Sequence, residues 1–457
     1  MLNLTSGRRY EVAARRDGRW LIDCLARSEG EARARADELY RDEAIEAVRV
    51  VRARFGNDGT SFESVLFEQE RPKQKGAAPV RIAGGPSDAA WCETLDDLYG
   101  RASRRAIARL LRNFLDRYGI TPTELLHHHR YMRMLERQDN LQTQAVQRMA
   151  SIQAKARGIE PRLRADAIDR FVADANTRAR DALASRAAPR LGPDGIEALV
   201  TAIADLAKSD TDRAFYLRFA LSVAWETNFG PADKLAMAGT WASAGAALVP
   251  LIDEIASGLL GAAALIQEVL GAQSHLAGAL GTLADLALGH EVEKVPPAFA
   301  AFAPLFGAGS MPETRLVLIE RIERELGSEK SLSRDDATTQ RRQFETLLEK
   351  LVDADGFFAG SPAMIEAIAR RSRRLEIIGG VETIRFRADS AAGRLEELLV
   401  QAADIIAERQ QRAVGTYFAA LLDELGDDEA VAACRPRIAS LPCPDALKSA
   451  MLARLPA

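Results

Sequence analysis

From Thr94 onward the apolar residues of this 457-residue chain return every three or four positions, and that period dictates helices. Leu95, Leu98, Ala102, Ala106, Leu110, Phe114 and Leu115 form one such stripe, which ends at Gly119. A row on this spacing lies along one face of a helix, so each stripe must find another to pack against. Helical patterns follow at about 162–187, 194–207, 211–227, 231–288 in several pieces, 312–326, 333–353, 361–377 and 390–425, with two more at 427–438 and 444–454. Their punctuation agrees with this reading. Thr121-Pro122, Pro312 and Ser361-Pro362 open helices, because proline at the first helical position loses no hydrogen bond. Gly327 and Gly379-Gly380 close others. Aromatic residues make up only 6% of the chain, so its cores must be built from Ala, Leu, Ile and Val, which suit close helix contact.

The first 70 residues follow a different period. Short β-type runs at 10–14 and 20–24 flank Asp17-Gly18, a dipeptide that accepts the backbone of a tight hairpin. Ser28 and Glu31 then form a capping-box pattern, and the helix they start runs to about Tyr40. Two further strand-like runs, 47–53 and 61–68, are joined by the turn cluster Gly56-Asn57-Asp58-Gly59. The fold class that results is α+β, predominantly α: a small N-terminal ββαββ module followed by a large irregular helical array without a fixed-period repeat. The domain plan is 1–70 for the module, 71–93 for a flexible Pro/Gly/Lys linker, 94–190 for a basic helical segment, 191–388 for a helical core region and 389–457 for C-terminal helices. A small strand-bearing excursion is a possible reading of 375–387.

Several function classes lose support here. The uncharged runs 235–252 and 295–312 have the length of a short membrane span, but Ala, Gly, Ser and Pro dominate them, so they read as buried core. An oligomer interface is the alternative for the Ala/Gly-rich stretch 236–284, and a homo-oligomer stays open. Cys24, Cys92, Cys434 and Cys443 show neither a CxxC nor ligand spacing to a histidine, which fits a reducing, cytoplasmic setting without a structural metal. No phosphate-loop glycine motif is present, so no nucleotide cofactor is expected. Glu124 stands three residues before His127 in the run His127-His128-His129, a spacing that di-iron bundles use twice and this chain uses once. His275 and His290 have no recognisable serine or cysteine triad around them.

Charge is the strongest functional signal. Residues 101–190 carry 19 Lys and Arg against 9 Asp and Glu, whereas the chain from 191 onward has a net charge of −12. Arg101, Arg105, Arg109 and Arg112, with Arg104 among them, lie largely off the apolar stripe of their helix and form the candidate site for an anionic partner. The same face can instead be solvated, or pair within the chain with the acidic C-terminal half. The stretch 104–135 also has a helix-turn-helix outline around Tyr118-Gly119-Ile120. Together these features predict a non-enzymatic adaptor or regulatory scaffold that binds protein partners through helical surfaces. A helical enzyme with a dispersed site, and a DNA-binding regulator using 101–190, are the alternatives.

Overall fold

A computed structural model describes residues 9–16, 19–40, 45, 47–55, 61–70, 91–138, 140–226, 229–243, 245–292, 294–375, 384–405, 408–425 and 428–455. The hairpin turn at 17–18, the turn cluster at 56–59, most of the expected linker and residues 376–383 of the expected excursion lie outside them. The chain divides into two compact units, Met1–Val80 and Arg81–Ala457.

In the first unit β1 (Arg9–Arg16), β2 (Arg19–Ala26), α1 (Glu29–Tyr40), β3 (Ala47–Phe55) and β4 (Ser61–Glu70) follow the expected ββαββ order. The sheet is antiparallel in the order β2-β1-β3-β4, with Val12 opposite Cys24 on one side and Val50 on the other. Alternation sends Val12, Ala14, Val48 and Val50 to one face, where Ala32 and Ala36 of α1 cover them. Ser28 accepts from the Glu31 amide at 3.2 Å, and the Glu31 carboxylate reaches back to the Arg27 amide at 3.1 Å, so the expected cap forms one residue wider than drawn.

The described residues of the second unit are mainly helical, with one isolated β-bridge between Val352 and Phe358. The stripe read as one helix from Thr94 is three: α2 (Leu95–Tyr99), α3 (Arg101–Leu110) and α4 (Arg112–Tyr118). Thr94 caps α2 through a complete capping box with Asp97, and Gly100 in extended conformation breaks the run before α3. Gly119, at φ 62°, closes α4 by letting the Ile120 amide return to the Leu115 carbonyl at 3.0 Å. The helix begun by Thr121-Pro122 is likewise two, α5 (Pro122–His127) and α6 (His129–Glu136), because His128 takes an extended backbone. Then come α7 (Leu141–Arg157), which the sequence reading did not anticipate, and α8 (Pro161–Ala184), its packing partner.

The large core begins with α9 (Gly195–Leu206), α10 (Asp210–Ala224), α11 (Pro231–Thr240), α12 (Val249–Leu260), α13 (Ala263–Leu270) and α14 (Leu276–Leu288). Next are α15 (Ala303–Gly307), α16 (Pro312–Gly327), α17 (Ala337–Lys350) and α18 (Pro362–Arg374). The C-terminal pattern resolves into α19 (Ala391–Ala403), α20 (Glu408–Leu425), α21 (Asp428–Ser440) and α22 (Asp445–Ala453). One apolar cluster joins residues from Ile196 to Leu455, and it includes Leu235, Ala238 and Ile252 of the uncharged run. Among the described residues no single helix is long and apolar enough to cross a membrane. The segments 246–260 and 263–270 reach that composition only as a pair bent by 104°.

Arg371 on α18 is buried, forms no salt bridge among the described residues, and donates to the carbonyls of Glu325, Leu326, Ser328 and Lys330 at and just beyond the end of α16. Beyond it, α20 approaches the loop after α17 so closely that a Cβ on Gly415 would lie 2.3–2.4 Å from the Phe357 ring. Alanine normally stabilises a mid-helix glycine position by about 0.5–1 kcal/mol. Here Gly415→Ala is expected to lower the unfolding free energy in urea by about 1–3 kcal/mol, through overpacking. A neutral or stabilising result would show that this contact can relax.

Candidate functional site

The arginines of α3 point in two directions because a helix turns about 100° per residue. Arg104 faces inward. Its guanidinium donates to both Glu313 oxygens at 2.9 and 3.1 Å and to the Tyr99 carbonyl at 2.6 Å, and it lies 3.3 Å from Glu254. Glu254 is the hub of this site. Arg218 on α10 grips it with two guanidinium nitrogens, at 2.7 and 2.9 Å, and the Thr123 hydroxyl donates to it at 2.6 Å. Burial alone raises the Glu254 pKa, but the hydrogen bonds and charge of Arg218, with Arg104 and Thr123 beside it, more than offset that and hold it below the usual carboxylate range. Glu313 shares Arg104 yet is pushed up by burial, with the Glu254 charge adding to the rise.

The residue before Glu254 secures the opposite wall. Met311 offers no side-chain cap to α16; instead Asp253, on α12, accepts from the Glu313 and Thr314 amides at 2.8 and 2.7 Å. A carboxylate there also meets the positive end of the α16 dipole. Nearby, Lys234 and Glu124 form an ion pair of 2.5 Å with both side chains almost wholly buried, and Lys234 also donates to the Gly119 carbonyl at 2.8 Å. Burial raises the Glu124 pKa against the pull of Lys234.

Arg105 and Arg109 face outward, and both donate to one carboxylate, Glu320 on α16. They form part of the wall of a cleft of about 780 Å³ between α3, α16 and α18, which Arg324, Arg370, Glu323 and Glu366 also line. The other two expected residues are elsewhere. Arg101 donates to the Pro312 carbonyl at 3.2 Å and lies 3.9 Å from Glu313. Arg112 pairs with Asp116 at 2.8 Å and is packed against Gly261. Burial lowers the Arg112 pKa, and the nearby Arg324 charge lowers it further. The continuous basic face is thus divided, with only Arg105 and Arg109 of the four brought together at the cleft.

Arg324 and Arg370 escaped the sequence reading, because α16 and α18 are remote in sequence from α3. Both are exposed and meet no carboxylate among the described residues; Arg370 makes a long 3.4 Å contact to the Gly327 carbonyl. Glu254, Arg218 and Glu313 were missed for the same reason. The signal that could have found them was the charge imbalance itself, since an acidic half and a basic half within one chain can satisfy each other.

The histidine run divides in the same way. His127 and His128 are buried and His129 half-buried, at the break between α5 and α6, so the cluster is a helix-end feature but not a surface one. Glu124 turns to Lys234 while His127 turns to the Thr123 carbonyl at 2.8 Å, so the pair do not converge on a common ligand. Since a carbonyl can only accept, Nδ1 carries the proton and Nε2 is left bare, buried and without a partner. The ring packs on Tyr99 at 4.6 Å and Phe215 at 5.5 Å. In the helix-turn-helix outline every residue of α5 is buried, while Arg130 and Arg133 of α6 are exposed. His275 caps α14 by accepting from the Gly278 amide, and His290 lies 3.7 Å from Asp285. Among the described residues no group of three His, Cys, Asp or Glu side chains is placed to hold a metal ion.

No family model, curated protein or solved structure matches the chain.

Burial, with the Arg218 charge, lowers the His127 pKa from 6.5 to about 3. Between those values the unfolded chain binds a proton that the folded one refuses, so the contribution of this group to stability rises with pH. The contribution has a slope of up to about 1.4 kcal/mol per pH unit. Urea unfolding from pH 3.5 to 6.5 is expected to show this slope, and His127→Phe to flatten it by nearly one proton. An unchanged slope in the variant would mean that His127 titrates normally.

Proposed function

We propose that the helical unit acts as a non-enzymatic adaptor that receives an acidic segment of a protein partner in the cleft between α3, α16 and α18. The sharing of Glu320 carries this reading. Two guanidinium groups on one carboxylate leave a net positive charge on the α3 wall, and Arg324 and Arg370 add two cations that form no salt bridge among the described residues. Of the acids in the cleft, Glu323 accepts from Ser361 at 2.8 Å, and burial raises its pKa. Arg is suited to such a wall, since its planar fork can grip a carboxylate with two hydrogen bonds and can hold a second acceptor once the first is engaged. A cleft of about 780 Å³ has room for several residues of an extended chain.

The adaptor reading over an enzymatic one is supported by how the interior charges are used. Arg104, Arg218, Glu254, Asp253, Glu124 and Lys234 all spend their hydrogen bonds on one another or on helix ends. Catalytic acids and bases need capacity left over for a substrate. The buried thiols of Cys92, Cys434 and Cys443 are consistent with the cytoplasmic setting proposed for it.

A fluorescein-labelled octaglutamate peptide provides the test. Its anisotropy should report saturable binding to the full-length chain at low ionic strength, weakening as salt screens the charges. Arg324→Glu with Arg370→Glu should lower affinity by about tenfold or more through like-charge repulsion, with the melting temperature nearly unchanged because both residues are exposed and neither forms a salt bridge among the described residues. Equal affinity in the charge-reversed protein would reject the cleft as the binding site.

A further inference from the structure

On the side of α3 away from the cleft lies a second space, a half-open apolar pocket of about 90 Å³ between α3, α5, α6, α7 and α8. Leu110, Leu126, Met132, Met149, Ile168 and Val172 are among its walls. Protein interiors are close-packed, with few voids larger than a water molecule, so an opening of this size among aliphatic side chains departs from the ordinary core. It is also poorly suited to water, which needs two to four polar partners to stay in place. The polar side chains at its edge are already engaged. Ser103 donates to the Asp97 carbonyl at 2.6 Å, and Gln153 accepts from Arg164 at 2.6 Å. Cys92 donates to the Thr94 carbonyl at 3.4 Å, and burial raises its pKa so that the thiol stays neutral. That leaves the half-buried amide of Gln142 as a polar group with capacity to spare.

We infer that this cavity is a binding site for a small uncharged apolar molecule, carrying at most one hydrogen-bonding group for Gln142. Size sets the scale of the occupant. An apolar cavity of roughly 150 Å³ takes up benzene with its six non-hydrogen atoms, so one of this volume suits an occupant of about four or five. Chemistry sets its class. Aliphatic walls reward an alkyl surface through dispersion and removal of apolar area from water, whereas a carboxylate or ammonium would lose its hydration with no counter-charge to meet it. Met132 and Met149 give the site compliance, because an unbranched thioether side chain adjusts to an irregular shape without a large cost. The site is separate from the arginine cleft and its case does not depend on the adaptor reading.

The test uses the full-length chain labelled with [¹³C-methyl]methionine, which places reporters at Met132 and Met149 among its eight methionines. Titration with cyclopentane should produce saturable methyl shifts at these two positions and leave methionines outside the cavity unmoved. The melting temperature should rise with cyclopentane concentration, as it does for any ligand that binds only the folded state. Butyrate, a charged molecule of similar size, should shift neither methyl. Ala106→Leu, on the α3 wall, fills the cavity and should abolish the cyclopentane shifts; Ala145→Leu, on the α7 wall, does so from the other side and serves if the first variant loses its helical circular dichroism. Absence of saturable shifts at Met132 and Met149 in the unmodified protein would overturn the inference. So would shifts that persist in a folded, filled variant, or an equal response to butyrate.

Discussion

The second unit depends on the buried carboxylate of Glu254. It lies on α12, in the middle of the largest apolar cluster, and accepts from Arg218 on α10 and Thr123 on α5 while attracting Arg104 on α3. A lone carboxylate in such a place would lose its hydration at a cost of several kcal/mol, and only the two guanidinium groups make its charge tolerable. Breaking such a set by removing one partner typically costs about 3–5 kcal/mol, because the remaining charges stay buried. Four helices are therefore held in register by one side chain. Asp253 extends that control to α16, whose first amides it caps.

This constraint makes α3 a divided helix. One edge reaches into the charge network, another meets Glu320 at the cleft, and its apolar side covers the cavity formed with α5 to α8. Each space next to α3 has its own character: charged and open on the α16 side, apolar and small on the other. Arg371 gives α16 a comparable anchor at its far end, where it donates to four carbonyls. With both ends fixed from neighbouring helices, α16 forms a firm wall for the cleft.

Much of the local structure was legible because its causes are local. Period-two alternation and turn chemistry gave the ββαββ order, while Thr94, Thr121, Pro122 and Gly119 marked helix ends where their caps lie. Breaks that depend on backbone choice were not legible: Gly100 and His128 interrupt periodic stripes that continue across them. Helix α7 escaped notice because Leu141, Val146, Ala150 and Ala154 make a thin stripe among glutamines and alanines. The candidate site was half legible. That the arginines lie off the apolar stripe follows from spacing, but which of them are buried depends on Glu254, Glu313 and Glu320, which lie at least 149 residues from Arg104 and Arg105 and come close only through tertiary packing.

The central claim is that Arg104 serves the fold and Arg109 the cleft, although they lie only five positions apart on one helix. Measuring urea stability and octaglutamate affinity side by side for Arg104→Gln and Arg109→Gln tests it most directly. For Arg104→Gln the account predicts a stability loss of about 3 kcal/mol or more, because Glu254 and Glu313 lose a buried partner. For Arg109→Gln it predicts a change within about 1 kcal/mol, as for a partly exposed pair, together with a clear loss of affinity. Equal stability losses in the two variants, or an Arg109→Gln protein that binds the peptide as well as the unmodified chain, would contradict it.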